Sequence, residues 1–163
     1  MDSAELTAKL TELGLALPPA PAPKGAYVPV VVHEDLAWVS GMLPLGPGGL
    51  IVTGKVDGEV ALPTAREAAC TAALNGLSAL VTALKGPDRI LRVVRVGVFV
   101  ASSPSFTAQP DVANGASELL LGLFGEAGRH ARAAVGVASL PLNSPVEVEI
   151  LVALGEAKTD RGP

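Results

Sequence analysis

Cysteine occurs once in 163 residues, at position 70, so an internal disulfide is excluded and a reducing compartment is the natural setting. With only two histidines beside it, the sequence offers no Cys/His cluster for zinc. Aromatic residues make up 3% of the chain, too few for base-stacking platforms, and the net charge of -4 comes without a run of lysine and arginine. Nucleic acid is therefore not the expected partner. No apolar run reaches the ~20 residues of a membrane-spanning helix, because Arg92 and Arg95 interrupt the longest candidate. The opening Met-Asp-Ser-Ala-Glu is not a secretory signal, and a cytoplasmic protein is expected. The glycine-rich stretch 41–49 has neither the lysine of a P-loop nor GxGxxG spacing, so a phosphate cradle is not expected there.

What the chain has in quantity is apolar surface. Hydrophobic residues are 49% against 17% charged, with a mean hydropathy of +0.46. The length suits one domain, residues 1–163, with a sizeable core. The apolar excess points to self-association.

In order, Asp2 with Glu5 three residues on forms a capping box for a short helix with Leu6, Leu10 and Leu13 on one face and Gly14 at its end. Residues 17–24 hold Pro18, Pro19, Pro21 and Pro23, an extended strap that completes an N-terminal segment over 1–24. The runs 27–32 and 36–40 about His33-Glu34-Asp35 predict a hairpin, 41–49 a loop, and 50–53 a short strand. Pro63 opens a helix to Lys85 whose stripe includes Cys70, read as a small core residue rather than a nucleophile. The strongest strand is 90–101, with Val94, Val96, Val98 and Val100 on the face expected to meet the helices and Arg95 and Gly97 on the other. Pro110 opens a last helix to Phe124. Two helices on one face of a mixed sheet make an α+β layer whose other face needs cover, and copies of the chain packed sheet to sheet would supply it.

Residues 128–154 carry two alternating runs about a Pro-marked loop and predict two antiparallel strands paired as a hairpin. On the first, His130, Arg132, Ala134, Gly136 and Ala138 share a face, so an arginine looks along a row of very small side chains. On the second, Glu147 and Glu149 oppose Val146, Val148 and Ile150. Folding the hairpin about its loop sets Arg132 opposite Ala153 and Ala138 opposite Glu147, leaving Arg132 and Glu147 roughly 16 Å apart. Cooperation between them would need a second copy of the chain.

Gly25-Ala-Tyr27, Val39-Ser40-Gly41, the valine strand leading to Phe99 and Phe106, and Arg132 followed by Leu140-Pro141 and Val146-Glu147-Val148-Glu149 together resemble the YjgF/YER057c/UK114 family, also called RidA. The resemblance covers the chain from about Gly25 onwards. It implies a chorismate-mutase-like α+β fold, a homotrimer with a central β-barrel, and sites in clefts between subunits. It implies an enamine/imine deaminase, which hydrolyses reactive 2-imino acids to 2-keto acids and ammonia without metal or other cofactor. Arg132 would then anchor the substrate carboxylate, Glu147 would position the attacking water, and Tyr27, Ser40, Gly41 and Asn114 would line the cleft. The same fold would also serve a non-catalytic module that binds a small carboxylate or keto acid.

Plainer readings stand beside these. Arg132 could pair structurally with Glu147 or Glu149 across a subunit boundary, Tyr27 could anchor the strand entry, and His130 could be a loop histidine. Arg95 could line a cleft or plug the barrel axis. Three family positions differ here, as Val28, Met42 and Ala134, which suggests a more apolar pocket without a thiol. The N-terminal helix and the segment 46–58 exceed the compact family pattern.

Overall fold

The computed structural model describes residues 1–22 and 25–156, so the Pro23–Lys24 end of the expected strap lies outside the described residues. Helix α1 (Ser3–Glu12) begins where Asp2 accepts a hydrogen bond from the Glu5 amide at 2.9 Å. It ends at Gly14, whose φ of +70° lets the Leu15 amide turn back to the Leu10 carbonyl at 2.8 Å. Leu6 and Leu10 are buried, while Leu13 is 47% exposed and rests over Gly122. The strap is fixed where the Ser78 hydroxyl donates to the Pro18 carbonyl.

Strands β1 (Val30–His33) and β2 (Leu36–Met42) form the expected hairpin, with Glu34 at φ 53° in its turn. The segment after it contains only the two-residue strands β3 (Leu45–Gly46) and β4 (Gly49–Leu50), so the strand expected over 50–53 reduces to a small hairpin outside the main sheet. Helix α2 (Leu62–Leu84) ends at Lys85 in a left-handed conformation. Next come β5 (Ile90–Ala101), α3 (Gln109–Phe124), a 3₁₀ turn (Gly125–Gly128), β6 (Ala131–Val137), a second 3₁₀ turn (Pro141–Asn143) and β7 (Val146–Leu154).

The sheet order is β1-β2-β7-β5-β6, with β6 parallel to β5 and the other pairs antiparallel. The expected hairpin of β6 with β7 is therefore wrong, because β5 lies between them. Its twelve residues of valine-rich chain pair with both strands, and the connection over Pro141 steps across it. The face assigned to β5 also needs correction at one end. Val93, not Val94, is fully buried opposite Val152, because a bulge between Val93 and Arg95 inserts one residue and inverts the alternation.

α2 and α3 cover one face of the sheet. Val96, Val98, Val100, Val148 and Ile150 meet Leu77, Leu80, Leu120 and Leu123 there. Among the described residues one helix, α2, is long and apolar enough to cross a membrane by length and composition, which the reading of the 90–101 run as the longest candidate overlooked. It is the core helix, with 61% of its apolar window buried against the protein. The sheet's other face carries Val31, Trp38, Arg95 and Val135, all exposed.

Candidate functional site

Arg132 lies on β6, the edge strand, directly beside the buried Val96 of β5, so its side chain points to the helix-covered side. There its Nη1 donates to Asn114 Oδ1 at 2.8 Å and to Ser117 Oγ at 3.0 Å, both on α3. These two bonds use both Nη1 hydrogens. The Nε and Nη2 edge of the guanidinium makes no hydrogen bond or ion pair among the described residues and can donate to a ligand.

His130 extends the cluster. Its Nδ1 is 2.6 Å from the Gly128 carbonyl, which can only accept, so in the neutral ring Nδ1 holds the proton and Nε2 accepts from the Ser117 hydroxyl at 3.0 Å. Ser117 thus gives its proton to His130 and takes one from Arg132. His130 is a loop residue, in the link before β6, and is also part of the frame that aims Arg132. Ser117 escaped sequence reading, although Asn114 and Ser117 at helical i, i+3 spacing carry the signal.

Glu147 is on the opposite side of the sheet, beside Phe99. Its carboxyl lies directly on the β2 backbone. A Cβ on Gly41 would come within 1.8 Å of Glu147 Oε1, so any larger residue there would displace the Glu147 carboxyl from this position. Gly41 sits where the β2–β7 register shifts, between Val39 and Met42. Burial, and secondarily the nearby Glu149, push the Glu147 carboxyl above its ordinary value of 4.5. Its oxygens make no hydrogen bond or ion pair among the described residues. Ser40, next to Gly41, donates from Oγ to the Val28 carbonyl at 2.8 Å and so fixes the chain leading out of Tyr27, which is itself 52% exposed.

The residues named from sequence fall into two groups. Arg132 and Asn114 are in contact, and Glu147, Gly41 and Ser40 are neighbours around β2 and β7, with Tyr27 on the adjoining segment. Arg132 and Glu147 are not together. They are two strands and three residues apart, about 14 Å between backbones at ~4.8 Å per strand and ~3.3 Å per residue, and they face opposite ways. The expected separation thus stands on a different geometry from the hairpin that suggested it. Within the chain Arg132 pairs with neither Glu147 nor Glu149.

Met42, taken as a sign of an apolar pocket, is a core residue at 6% exposure, whereas Ala134 does share the Arg132 face. The Cys70 thiol is pushed up by burial, then by Glu118 and Glu67, which opposes thiolate chemistry. Among the described residues no three His, Cys, Asp or Glu side chains converge as metal ligands would.

Comparison with known proteins adds four findings. Residues 7–154 match the model of a family described as "YjgF/chorismate mutase-like, putative endoribonuclease". Protein TCP17 of Trypanosoma cruzi is 47% identical over 153 residues, covering 93% of this chain and 96% of its own. A solved structure of a protein of unknown function from Agrobacterium tumefaciens is 43% identical, with a TM-score of 0.89 and 94% of each chain covered. A second, a "putative endoribonuclease" from Shewanella oneidensis, is 31% identical with a TM-score of 0.88, covering 91% of this chain and 99% of that one.

Proposed function

The chain belongs to the YjgF/chorismate mutase-like family, and on that premise we propose that it hydrolyses 2-imino acids and their enamine tautomers to 2-keto acids and ammonia. The observation that carries this reading is the guanidinium of Arg132. One nitrogen is fixed by Asn114 and Ser117, and the opposite edge is left as a two-pronged donor for a carboxylate. The substrate's carboxylate binds that edge, which orients the adjacent C2=N bond. Glu147 of a neighbouring copy takes a proton from water as its oxygen adds to C2, and then returns it to nitrogen. The resulting carbinolamine collapses to the ketone and releases ammonia. Burial raises the proton affinity of Glu147, which favours its taking the proton from water.

Completing the site requires a second copy, because Glu147 and Arg132 face opposite sides of one sheet. A homotrimer with its open sheet faces inward meets that requirement. The test is the release of keto acid from imines generated by an amino-acid oxidase. Removing two charge-assisted bonds of about 1.5–3 kcal/mol each, Arg132→Ala should lower kcat/KM by roughly 10²–10⁴. An unchanged rate would remove the anchor role.

The second reading, a non-catalytic keto-acid binder, draws on Ala134, which leaves the Arg132 face without a reactive group. Calorimetric binding of 2-ketobutyrate by a protein that turns over no imine would decide for it. The description of relatives as endoribonucleases points to RNA. The net charge of -4 speaks against that, and salt-sensitive RNA binding would be needed to support it.

A further inference from the structure

The N-terminal strap and the β3–β4 hairpin are both tied to α2 by buried polar side chains. Asn75 and Ser78, three residues apart on that helix, are each 2% exposed. Ser78 donates to the Pro18 carbonyl, and the Asn75 amide nitrogen donates to the Leu43 and Leu45 carbonyls, each at 3.0 Å. Between strap and hairpin lies a cavity of about 310 Å³, lined by Pro18, Pro19 and Pro21, by Leu45 and Pro47, and by Asn75. Anchoring to one helix holds these parts in place before any ligand arrives.

The bonds to Leu43 and Leu45 use both hydrogens of the Asn75 amide, which also settles which of its atoms is the nitrogen. Its Oδ1 has no partner among the described residues. No side-chain nitrogen or oxygen there is both unpaired and shut off from solvent, so Oδ1 is reachable from outside. For a residue 2% exposed that lines a cavity, the cavity is the way in. An unpaired acceptor inside a folded protein is costly unless a donor can come to it.

The other side chains of the wall are apolar, and none is charged among the described residues. Proline rings are rigid, so they lose no rotamer freedom when a ligand packs on them. Their C–H groups suit the negative face of an aromatic ring, the converse of aromatic grooves that take proline-rich segments. A cavity of about 150 Å³ accommodates benzene, so one of about 310 Å³ has room for a fused ring pair.

We propose that this cavity binds a neutral aromatic molecule carrying a single N–H or O–H donor, of the indole or phenol class. The ring lies against the prolines, and the donor bonds to Asn75 Oδ1. A carboxylate or an ammonium group finds no counter-charge in the wall. The site uses none of the residues around Arg132 and Glu147, so it stands or falls independently of imine hydrolysis.

The test titrates the full chain with indole and with 1-methylindole, which lacks the donor. Indole should bind saturably with a dissociation constant below about 1 mM, and 1-methylindole about fivefold or more weakly. Nuclear Overhauser contacts from bound indole should reach the side chains of Pro18, Pro21 and Leu45. Leu45→Trp, which places a resident indole ring in the cavity, should abolish binding, whereas Arg132→Ala should leave it within about twofold of wild type. If Leu45→Trp does not fold, the Overhauser contacts in the wild-type protein decide the location. Absence of saturable binding at millimolar indole, equal affinity for the two compounds, contacts to residues elsewhere, or loss of binding in Arg132→Ala would each overturn the proposal.

Discussion

At the scale of single residues the site depends on two close approaches of opposite kind. Arg132 is held by hydrogen bonds that orient it, whereas Glu147 is held by the lack of a side chain at Gly41. A carboxyl pressed onto backbone and flanked by Glu149 is harder to ionise in the folded protein than in the unfolded chain. The sign of the linkage follows. The ionisation penalty is absent below the ordinary glutamate value of 4.5 and grows as pH rises through the raised folded value. Glu147→Gln should therefore raise the melting temperature at pH 7, lose that advantage near pH 4, and lower imine turnover by about 10² or more. Thermal melts at the two pH values with a parallel rate measurement check this. Equal melting shifts at both pH values would refute the linkage. Arg132 and Glu147 stood out in the sequence because charges among small or alternating apolar residues are conspicuous. Ser117 and the role of His130 did not, because they depend on which turn of α3 faces which step of β6.

At the scale of elements, periodicity located nearly every helix and strand, and the errors came from pairing. The β6–β7 hairpin was a reasonable inference from adjacency in sequence, but nothing local to residues 128–154 reports that β5 will insert between them. The bulge at Val94 was hidden for a related reason, since a continuous apolar run conceals a one-residue slip. The packing of α2 on α3 was only half legible. The apolar stripe of α2 could be read from the sequence, but not the close contact at Gly115 of α3, where a Cβ would lie 2.0 Å from the Arg66 carbonyl oxygen. That atom is backbone and cannot swing aside. Gly115→Ala should force the helices apart at a cost of about 1–3 kcal/mol, seen as a lower denaturation midpoint with an unchanged slope. Because Asn114 and Ser117 flank this position, the same variant should also weaken keto-acid binding.

At the scale of the whole molecule, two features that are awkward in one chain would be resolved by the proposed assembly. One sheet face leaves Val31, Trp38 and Val135 between 42% and 50% exposed with Arg95 among them, and an exposed apolar patch of this kind is rarely left to water. The two halves of the proposed site lie on opposite faces of that sheet and cannot meet within a chain. Association of open faces would cover the apolar surface and would bring the edge strand β6 of one copy towards the β2–β7 region of the next. The expected species is a trimer, detectable by native mass spectrometry or sedimentation. Trp38→Ala should shift it towards monomer, because it removes the large apolar side chain that this face would bury. Imine turnover should fall in step with the trimer fraction, although Trp38 belongs to neither half of the site. A dissociated variant with full activity would show that a single chain suffices, and would return Arg132 and Glu147 to separate roles.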